Sequence, residues 1–233
     1  MGEPDLRGRY QVMYEVYEAR DGRIWVSTVG GISLLDEDHG SFIYFRQYPG
    51  TNTANFALNN QGYFDITCMH QDREGTFWLG TPELGLIAFN PAQSFGEYLP
   101  IIYDGSSDKH SYPILTIAED PIEPEDFLWI GTEGKGLVRF NKITKEMTFF
   151  NTEHELINNI VNGILVEKHR CLWMSTNRGI CVYDPVREHF IHYDQRDGLQ
   201  SNGFNRREFY KTADGEMYFG GVYGYNHFYP DDI

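Results

Sequence analysis

The chain has 233 residues and 41% hydrophobic content, which is enough for one sizeable core. Its 34 acidic residues outnumber 19 basic ones, and the formal net charge of −15 argues against nucleic acid and anionic lipid as partners. Three cysteines do not make a disulfide framework, and no apolar run approaches the ~18 residues of a membrane span. We therefore expect no nucleic acid and no membrane contact within this chain. Its first residues show no signal peptide and read like the start of a fragment cut from a longer protein.

One motif recurs five times along the chain: an aromatic residue, an apolar residue, a small residue and a turn that ends in glycine. Its aromatic residues are separated by 44 to 53 positions, a period typical of β-propellers with one blade per repeat. The sequence therefore predicts an all-β propeller region over residues 1–233. The expected blades are approximately 9–47, 62–99, 112–150, 159–194 and 203–230. The aromatic residues are Trp25, Trp78, Trp129, Trp173 and, in the weaker last copy, Tyr218.

The third repeat indicates how each unit folds. Alternating apolar and polar residues predict an inner strand at Pro113–Glu119, followed by Phe127–Thr132, Leu137–Asn141 and Met147–Phe150. The second strand is apolar on both faces, which fits a sheet packed between two neighbours. Four short strands joined by turn-forming residues are therefore expected in each complete repeat.

The same pattern extends to the end of the chain, where it stops early. Final strands are predicted at Ser41–Phe45 and His189–Tyr193, whereas the fifth repeat holds only Asn205–Thr212, Glu216–Gly221 and Tyr225–Tyr229. The prediction is 19 strands with an incomplete last blade. Two arrangements stay open, a small five-bladed ring or an arc excised from a larger propeller, and we favour the arc slightly.

The tryptophans could be read as platforms for sugars, but their fixed place in each second strand indicates that they form the core. Gly131 lies two positions after Trp129 and therefore on the same face of its strand. A residue without a side chain there would let the next blade approach closely. We expect buried indoles and a tight contact at Gly131.

Several segments resemble the two-component regulator propeller repeat. They are Ile117–Asn141, Leu156–Val161, Gly198–Asn202 and the closing stretch Gly221–Asp232. The resemblance implies the extracytoplasmic sensor part of hybrid two-component histidine kinases, abundant in gut Bacteroidetes, which detect oligosaccharides and switch on glycan-degrading genes. It also implies a periplasmic location within an inner-membrane protein.

The same resemblance implies protein partners and shows which parts of such a sensor this sequence does not contain. Neighbouring propeller and immunoglobulin-like domains of the parent chain, and a possible homodimer, are the expected protein partners. The five repeats are fewer than the seven usual in such propellers, and the kinase and receiver regions are absent. This chain alone is therefore not expected to be an enzyme.

Candidate binding residues come from loops that should emerge on one face of a propeller: those joining blades and those joining second to third strands. Amides pair with sugar hydroxyls, guanidinium groups bind carboxylate or sulfate, and aromatic rings stack on pyranoses. The alternative is that Asn and Gly in these loops merely close turns. Two adjacent arginines are unusual in so acidic a chain. The candidates for an oligosaccharide site are Arg178, Asn202, Asn205, Arg206, Arg207, Tyr223, Tyr103 and His110.

Catalytic and metal chemistry has no local signature. No histidine pairs with cysteine or carboxylate at metal-ligand spacing, so we expect no metal and no cofactor. The acidic run Glu119–Asp126 lacks the spacing of a calcium loop, and a solvated turn is expected there. Two other functions stay open: a propeller enzyme such as a polysaccharide or cyclic-ester lyase, and an interaction or dimerisation scaffold without a ligand.

Overall fold

A computed structural model of the chain describes residues 13–28, 31–45, 65–91, 95–99 and 111–233. By its internal contacts the chain divides into two compact units, residues 1–113 and 114–233. Each unit is built from small antiparallel sheets in which neighbouring strands are consecutive in sequence.

The first unit contains two four-stranded sheets, with strand orders β1-β2-β3-β4 and β5-β6-β7-β8. Short turns join most of the strands, so each sheet is a meander. The strands are β1 (Met13–Glu18), β2 (Ile24–Thr28), β3 (Gly31–Asp36), β4 (Ser41–Phe45), β5 (Cys68–Gln71), β6 (Phe77–Gly80), β7 (Leu86–Asn90) and β8 (Phe95–Leu99).

The second unit contains two four-stranded sheets and a three-stranded one. Short 3₁₀ helices lie at Thr152–His154, Gln195–Asp197 and Pro230–Asp232. The strands are β9 (Ile114–Glu119), β10 (Phe127–Thr132), β11 (Leu137–Asn141), β12 (Met147–Phe150), β13 (Val161–Val166), β14 (Leu172–Thr176), β15 (Gly179–Asp184), β16 (His189–Tyr193), β17 (Phe204–Lys211), β18 (Met217–Gly221) and β19 (Gly224–Phe228).

The described residues thus form five blade-type sheets, and the predicted propeller fold class with an incomplete last blade is confirmed. The 19 predicted strands are all present in the described part of the chain. Three strands of the third repeat, β10, β11 and β12, have the bounds that the sequence predicted. The short turns explain this accuracy, because they fix where each strand must begin and end.

Within each unit the cores lie between consecutive sheets, and Trp25, Trp129 and Trp173 are part of them. Trp129 on β10 packs against Val161 on β13 and Met174 on β14 of the next sheet. Trp173 occupies the equivalent place in the core shared with Phe219. The prediction that the indoles form the core is confirmed, since the exposed fractions are 0% for Trp25, 4% for Trp78, 1% for Trp129 and 6% for Trp173.

Two glycines allow the sheets of the second unit to approach closely. A Cβ atom at Gly131 would lie 2.8 Å from Val161 Cγ1 of the next inner strand, as expected from the sequence. A Cβ atom at Gly163 would lie 2.2 Å from the Cδ1 atom of Phe209. The missing side chains therefore leave the space that the neighbouring sheet occupies.

The acidic run before β10 is more ordered than its composition suggested. Asp120 is only 1% exposed, so the expectation of a solvated turn was wrong for this residue. Its carboxylate accepts hydrogen bonds from the Ile122 and Glu123 backbone and from Arg139 Nε, at 2.8–3.0 Å. Partial burial opposes the charge of Arg139, but the hydrogen bonds that its guanidinium group donates to the Glu123 and Asp120 carboxylates raise the pKa of Arg139. A charged side chain on β11 explains the burial, because it compensates the carboxylate.

Candidate ligand-binding face

A threonine at the end of the second strand closes the turn that follows it. Thr132 Oγ1 donates to the carbonyl oxygen of Gly136 at 2.9 Å and accepts from the Lys135 backbone N–H at 3.1 Å. Thr176 Oγ1 makes the same bond to Gly179 O at 2.9 Å. The last sheet has Gly221 at this position. These hydroxyls hold the turns in fixed shapes, and any loop residue beside them is presented from a rigid support.

The loops between sheets are held by an asparagine. Asn202 Oδ1 accepts a hydrogen bond from the Gln195 backbone N–H at 2.8 Å, and Asn159 Oδ1 accepts one from the Thr152 N–H at 2.9 Å. The same bond in two repeats indicates a structural contribution of Asn202. Its prediction as a binding residue has to be weighed against that contribution.

The two kinds of loop meet on one side of the second unit. In one place the Gly134 N–H donates to Asn159 O at 2.8 Å. In another the Tyr223 N–H donates to Gln200 Oε1 at 2.8 Å. We call this side the loop face: it comprises the turns 133–136, 177–178 and 222–223, the connections 151–160 and 194–203, and residues 205–208 of β17.

The register irregularity in β17 gives the adjacent residues Arg206 and Arg207 different surroundings. Phe204 pairs with Gly221 and Phe209 with Phe219, so the residues between them form a bulge, with Arg207 at φ 62°. Arg206 is hydrogen-bonded and ion-paired to the carboxylate of Glu133, in the turn after β10.

The bulge also brings the two remaining candidates of this segment into different surroundings. Asn205 donates to Glu208 Oε2 at 2.8 Å, inside the bulge. Arg207 is exposed and lines a shallow groove of about 330 Å³ together with Glu208, Tyr210, Tyr218 and Tyr225. The predicted residues of this segment therefore do not converge on a single point.

Arg178 is exposed in the turn between β14 and β15. Its backbone N–H donates to Thr176 Oγ1 at 3.0 Å, which fixes the turn beneath it. Among the described residues no carboxylate forms an ion pair with its guanidinium group. Arg178 is therefore a cation held at the surface and available to an anionic group.

The sequence did not point to Asn162, a buried residue below the loop face. Its Nδ2 donates to Asn177 Oδ1 and to Phe204 O, both at 2.8 Å, and so joins two sheets. Its own Oδ1 is buried without a partner among the described residues. A signal was present in the sequence, because Asn162 interrupts an inner strand that is otherwise apolar or small.

The remaining candidates have separate outcomes. Tyr223 is 80% exposed in the turn before β19, so its ring is accessible. Tyr103 and His110 lie outside the described residues. The loop face therefore contains Arg178, Asn202, Asn205, Arg206, Arg207 and Tyr223, and Arg207 is the one among them that lines the groove of the last sheet.

Reactive groups are few in the described part of the chain. No group of three His, Cys, Asp or Glu side chains could hold a metal ion there. Cys68, Cys171 and Cys181 form no disulfide among the described residues. Burial raises the pKa of Cys171 to about 11 and that of Cys181 to about 12, which keeps both thiols protonated at neutral pH. None of the described helices is long and apolar enough to cross a membrane.

The sheets and their repeat define an all-β protein of the propeller class. Residues 62–83 match the family described as two component regulator propeller. A histidine kinase, P4 from Formosa agariphila, is 27% identical over 225 residues, which are 95% of this chain and 16% of that protein. The resemblance noted in the sequence is confirmed, and the chain spans about one sixth of this relative.

Solved structures of similar fold come from several bacteria. An extracellular domain described as part of a one-component system of B. thetaiotaomicron matches with a TM-score of 0.68 and 18% identity, over 97% of this chain and 28% of that one. An extracellular domain described as part of a hybrid two-component system of the same organism matches with a TM-score of 0.53 and 20% identity, over 93% of this chain and 33% of that one. A gluconolactonase from Xanthomonas campestris matches with a TM-score of 0.64 and 14% identity, over 91% of this chain and 70% of that one. These likenesses show the fold.

Proposed function

We propose that this chain is the ligand-sensing propeller region of a larger two-component sensor and that its loop face binds an oligosaccharide. The similarity to a histidine kinase and to extracellular domains of two-component systems supports the sensor assignment. A propeller also suits the task, since its loops present polar groups from a rigid set of sheets.

The observation that carries the choice of ligand is the environment of Arg178. It is an exposed cation on a turn fixed by Thr176, in a chain with a net charge of −15. Arg206 lies on the same face and is neutralised by Glu133. A guanidinium group binds carboxylate and sulfate through paired hydrogen bonds. An oligosaccharide that carries such groups is therefore the preferred ligand, with Tyr223 as an exposed ring beside it.

The setting of the sensor is part of the same proposal. The chain would lie on the extracytoplasmic side of an inner-membrane protein, next to further propeller and immunoglobulin-like domains, and could act as a dimer. Ligand binding can produce a signal only if the region has two states with different affinity for the ligand. Regulation of glycan utilisation is the expected output.

Calorimetry with this chain tests the binding step. The panel contains neutral oligosaccharides and matched ones with uronic acid or sulfate groups. We expect saturable heat with at least one anionic oligosaccharide and no turnover. Arg178→Ala should weaken that binding about 10- to 100-fold, the loss of one charge-assisted pair. Arg187→Ala is the matched control, because this exposed arginine lies in another turn of the same sheet. The absence of binding heat with every oligosaccharide in the panel, or an equal loss of affinity in both variants, would contradict the proposal.

A hydrolytic function is the second candidate, because the fold is also that of a gluconolactonase over 70% of that enzyme's length. Incubation with sugar lactones and with oligosaccharides, followed by measurement of acid release and new reducing ends, separates the two proposals. Product formation that scales with protein concentration would favour the enzyme over the sensor.

A further inference from the structure

Asn162 occupies a bulge in the inner strand β13. The register shifts by one residue between Val161 and Gly163, so no residue of β14 lies opposite Asn162. A bulge re-aims the side chain of its extra residue, and such irregularities are frequent beside functional sites. The residue is 1% exposed, so its amide acts inside the protein, below the loop face.

The preceding sheet shows that this bulge does not need an asparagine. In β9 the register shifts at the same place, opposite the threonine that ends the second strand, and the extra residue is Leu115, which is 3% exposed. An apolar side chain therefore serves the packing of an inner strand. At Asn162 the fold instead keeps an amide whose Oδ1 has no partner among the described residues, which costs stability. The two hydrogen bonds that its Nδ2 donates are the compensating feature.

Those hydrogen bonds tie together the segments that carry Arg178 and Arg206. Asn177 Oδ1 and Phe204 O are each 2.8 Å from Asn162 Nδ2, so they lie within twice that distance of each other. Asn177 directly precedes Arg178 in the turn between β14 and β15. Phe204 begins β17, two positions before Arg206. The amide therefore fixes the separation of the two backbone segments from which these guanidinium groups extend.

The two guanidinium groups differ in what holds them. Among the described residues no carboxylate forms an ion pair with Arg178, whereas Arg206 is paired with Glu133. The side chains of Arg206 and Glu133 are 46% and 36% exposed, so an incoming anion can replace the carboxylate. A first anionic group of a ligand would therefore bind Arg178, and a second would have to displace Glu133 from Arg206.

We propose that Asn162 is a positioning residue that makes the loop face select oligosaccharides with two anionic groups over those with one. This inference rests on the proposed function and deepens it. One sulfate or carboxylate of the ligand pairs with Arg178, and a second replaces Glu133 at Arg206. Because Asn162 already holds the two segments at a fixed separation, the second contact forms within the complex and raises affinity.

Two sulfated sugars are the probes. Glucose 6-sulfate carries one anionic group, whereas sucrose octasulfate carries a sulfate on every hydroxyl and so offers many separations between two sulfates. Calorimetry at one ionic strength gives both affinities, with sucrose as the neutral control. Arg178→Ala should weaken binding of both sulfated sugars about tenfold or more. Arg206→Ala should weaken sucrose octasulfate by a similar factor and glucose 6-sulfate less than about twofold.

Asn162→Leu tests the positioning itself. It removes both hydrogen bonds, and it should fold because β9 already holds a leucine at this bulge. It should weaken sucrose octasulfate about tenfold and glucose 6-sulfate less than about twofold, and it should cause no further loss when combined with Arg206→Ala. Ile164→Val is the control for stability, because this buried residue of the same strand is not part of the link. It should leave both affinities unchanged.

A second variant breaks the link from its other end. Asn177 is exposed, so Asn177→Ala should fold, and it should show the same selective loss for sucrose octasulfate at a smaller size, about threefold. Equal losses for the two sulfated sugars in Asn162→Leu or Asn177→Ala would overturn the positioning role alone. So would an unchanged affinity for sucrose octasulfate in Arg206→Ala, since Arg178 would still bind an anion. No binding of either sulfated sugar, or no effect of Arg178→Ala, would overturn this inference together with the proposed anionic ligand.

Discussion

The guanidinium group of Arg206 in β17 is ion-paired to the carboxylate of Glu133, which lies 73 residues earlier in the turn after β10. The pair therefore joins the first and the last sheet of the second unit across the loop face. Both side chains are partly exposed, so the pair is accessible to solvent and to a competing anion. It connects the fold of this unit to its proposed binding site.

The Arg206–Glu133 pair should contribute little to stability and more to binding. A double-mutant cycle with Arg206→Ala and Glu133→Gln should give a coupling energy below about 1 kcal/mol, because exposed ion pairs are screened by solvent. Glu133→Gln should nevertheless increase affinity for an anionic oligosaccharide, since it frees the guanidinium group. Urea unfolding measures the first effect and calorimetry the second. Unchanged affinity in Glu133→Gln would argue against Arg206 as a ligand contact.

Two residues at the same position of the motif should differ strongly in their effect on stability. Trp129 is buried between two sheets, and Trp129→Ala should cost about 3–5 kcal/mol, as other large-to-small core substitutions do. Tyr218 stands at the equivalent place in the last sheet, where it is half-buried, and Tyr218→Ala should cost about 1 kcal/mol. Chemical denaturation of both variants gives the comparison. Similar losses would show that the face around Tyr218 is covered in solution.

The hydroxyl of Thr132 should stabilise its turn measurably. Thr132→Val keeps the shape but leaves the Gly136 carbonyl and the Lys135 N–H without this partner, and should cost about 1–3 kcal/mol. Thr148→Val on β12 is the control, because Thr148 is an exposed strand residue and the exchange should be almost neutral there. Guanidinium unfolding curves give both values. A neutral Thr132→Val would mean that water replaces the hydroxyl.

Contact between the last two inner strands should not tolerate a methyl group at Gly163. Gly163→Ala places a Cβ atom against the Phe209 ring and should cost about 1–3 kcal/mol by overpacking. Phe209→Leu should recover part of that loss in the double variant, because the smaller side chain vacates the space. Gly203→Ala, where a new Cβ would be 3.4 Å from Val222, should have little effect. Thermal unfolding of the parent chain and the four variants is the measurement, and additive losses in the double variant would contradict the packing argument.

The hydroxyl of Tyr218 should ionise at a higher pH than an ordinary tyrosine. It donates to Glu216 Oε2 at 2.7 Å, and this hydrogen bond to a carboxylate raises the pKa of Tyr218 to about 12. Since the folded value lies above the unfolded value near 10, the associated stabilisation is fully present below pH 10 and is lost as the pH rises through about 12. Carbon-13 NMR titration of the tyrosine ring follows the ionisation. Glu216→Gln should return the pKa toward 10, and an unchanged value would exclude Glu216 as the cause.

Local sequence was sufficient to predict the strands and the core. The motif places Trp129 and Gly131 on one face of β10, and the turn after Thr132 limits the ends of β10 and β11. These are short-range constraints, and a single repeat contains all of them. The buried indoles follow because the same position recurs at the spacing of one sheet.

The binding face was less predictable because it depends on distant residues. Arg206 and Arg207 are neighbours in β17, but Arg206 is ion-paired to Glu133, whereas Arg207 lines the groove beside Tyr210 and Tyr218. The link from Asn162 to Asn177 and Phe204 joins a strand, a turn and a strand of the next sheet. No local pattern specifies a register irregularity or a partner 73 residues away, so residue type could nominate candidate residues without giving their contacts.

The burial of all four indoles decides how ligand binding can be observed. Their emission should be blue-shifted and should report the separation of the sheets, so it will follow unfolding closely. A sugar that settles on the loops would leave that signal unchanged. An optical titration therefore needs a reporter placed on the rim, and Tyr223→Trp would supply one at a site open to solvent.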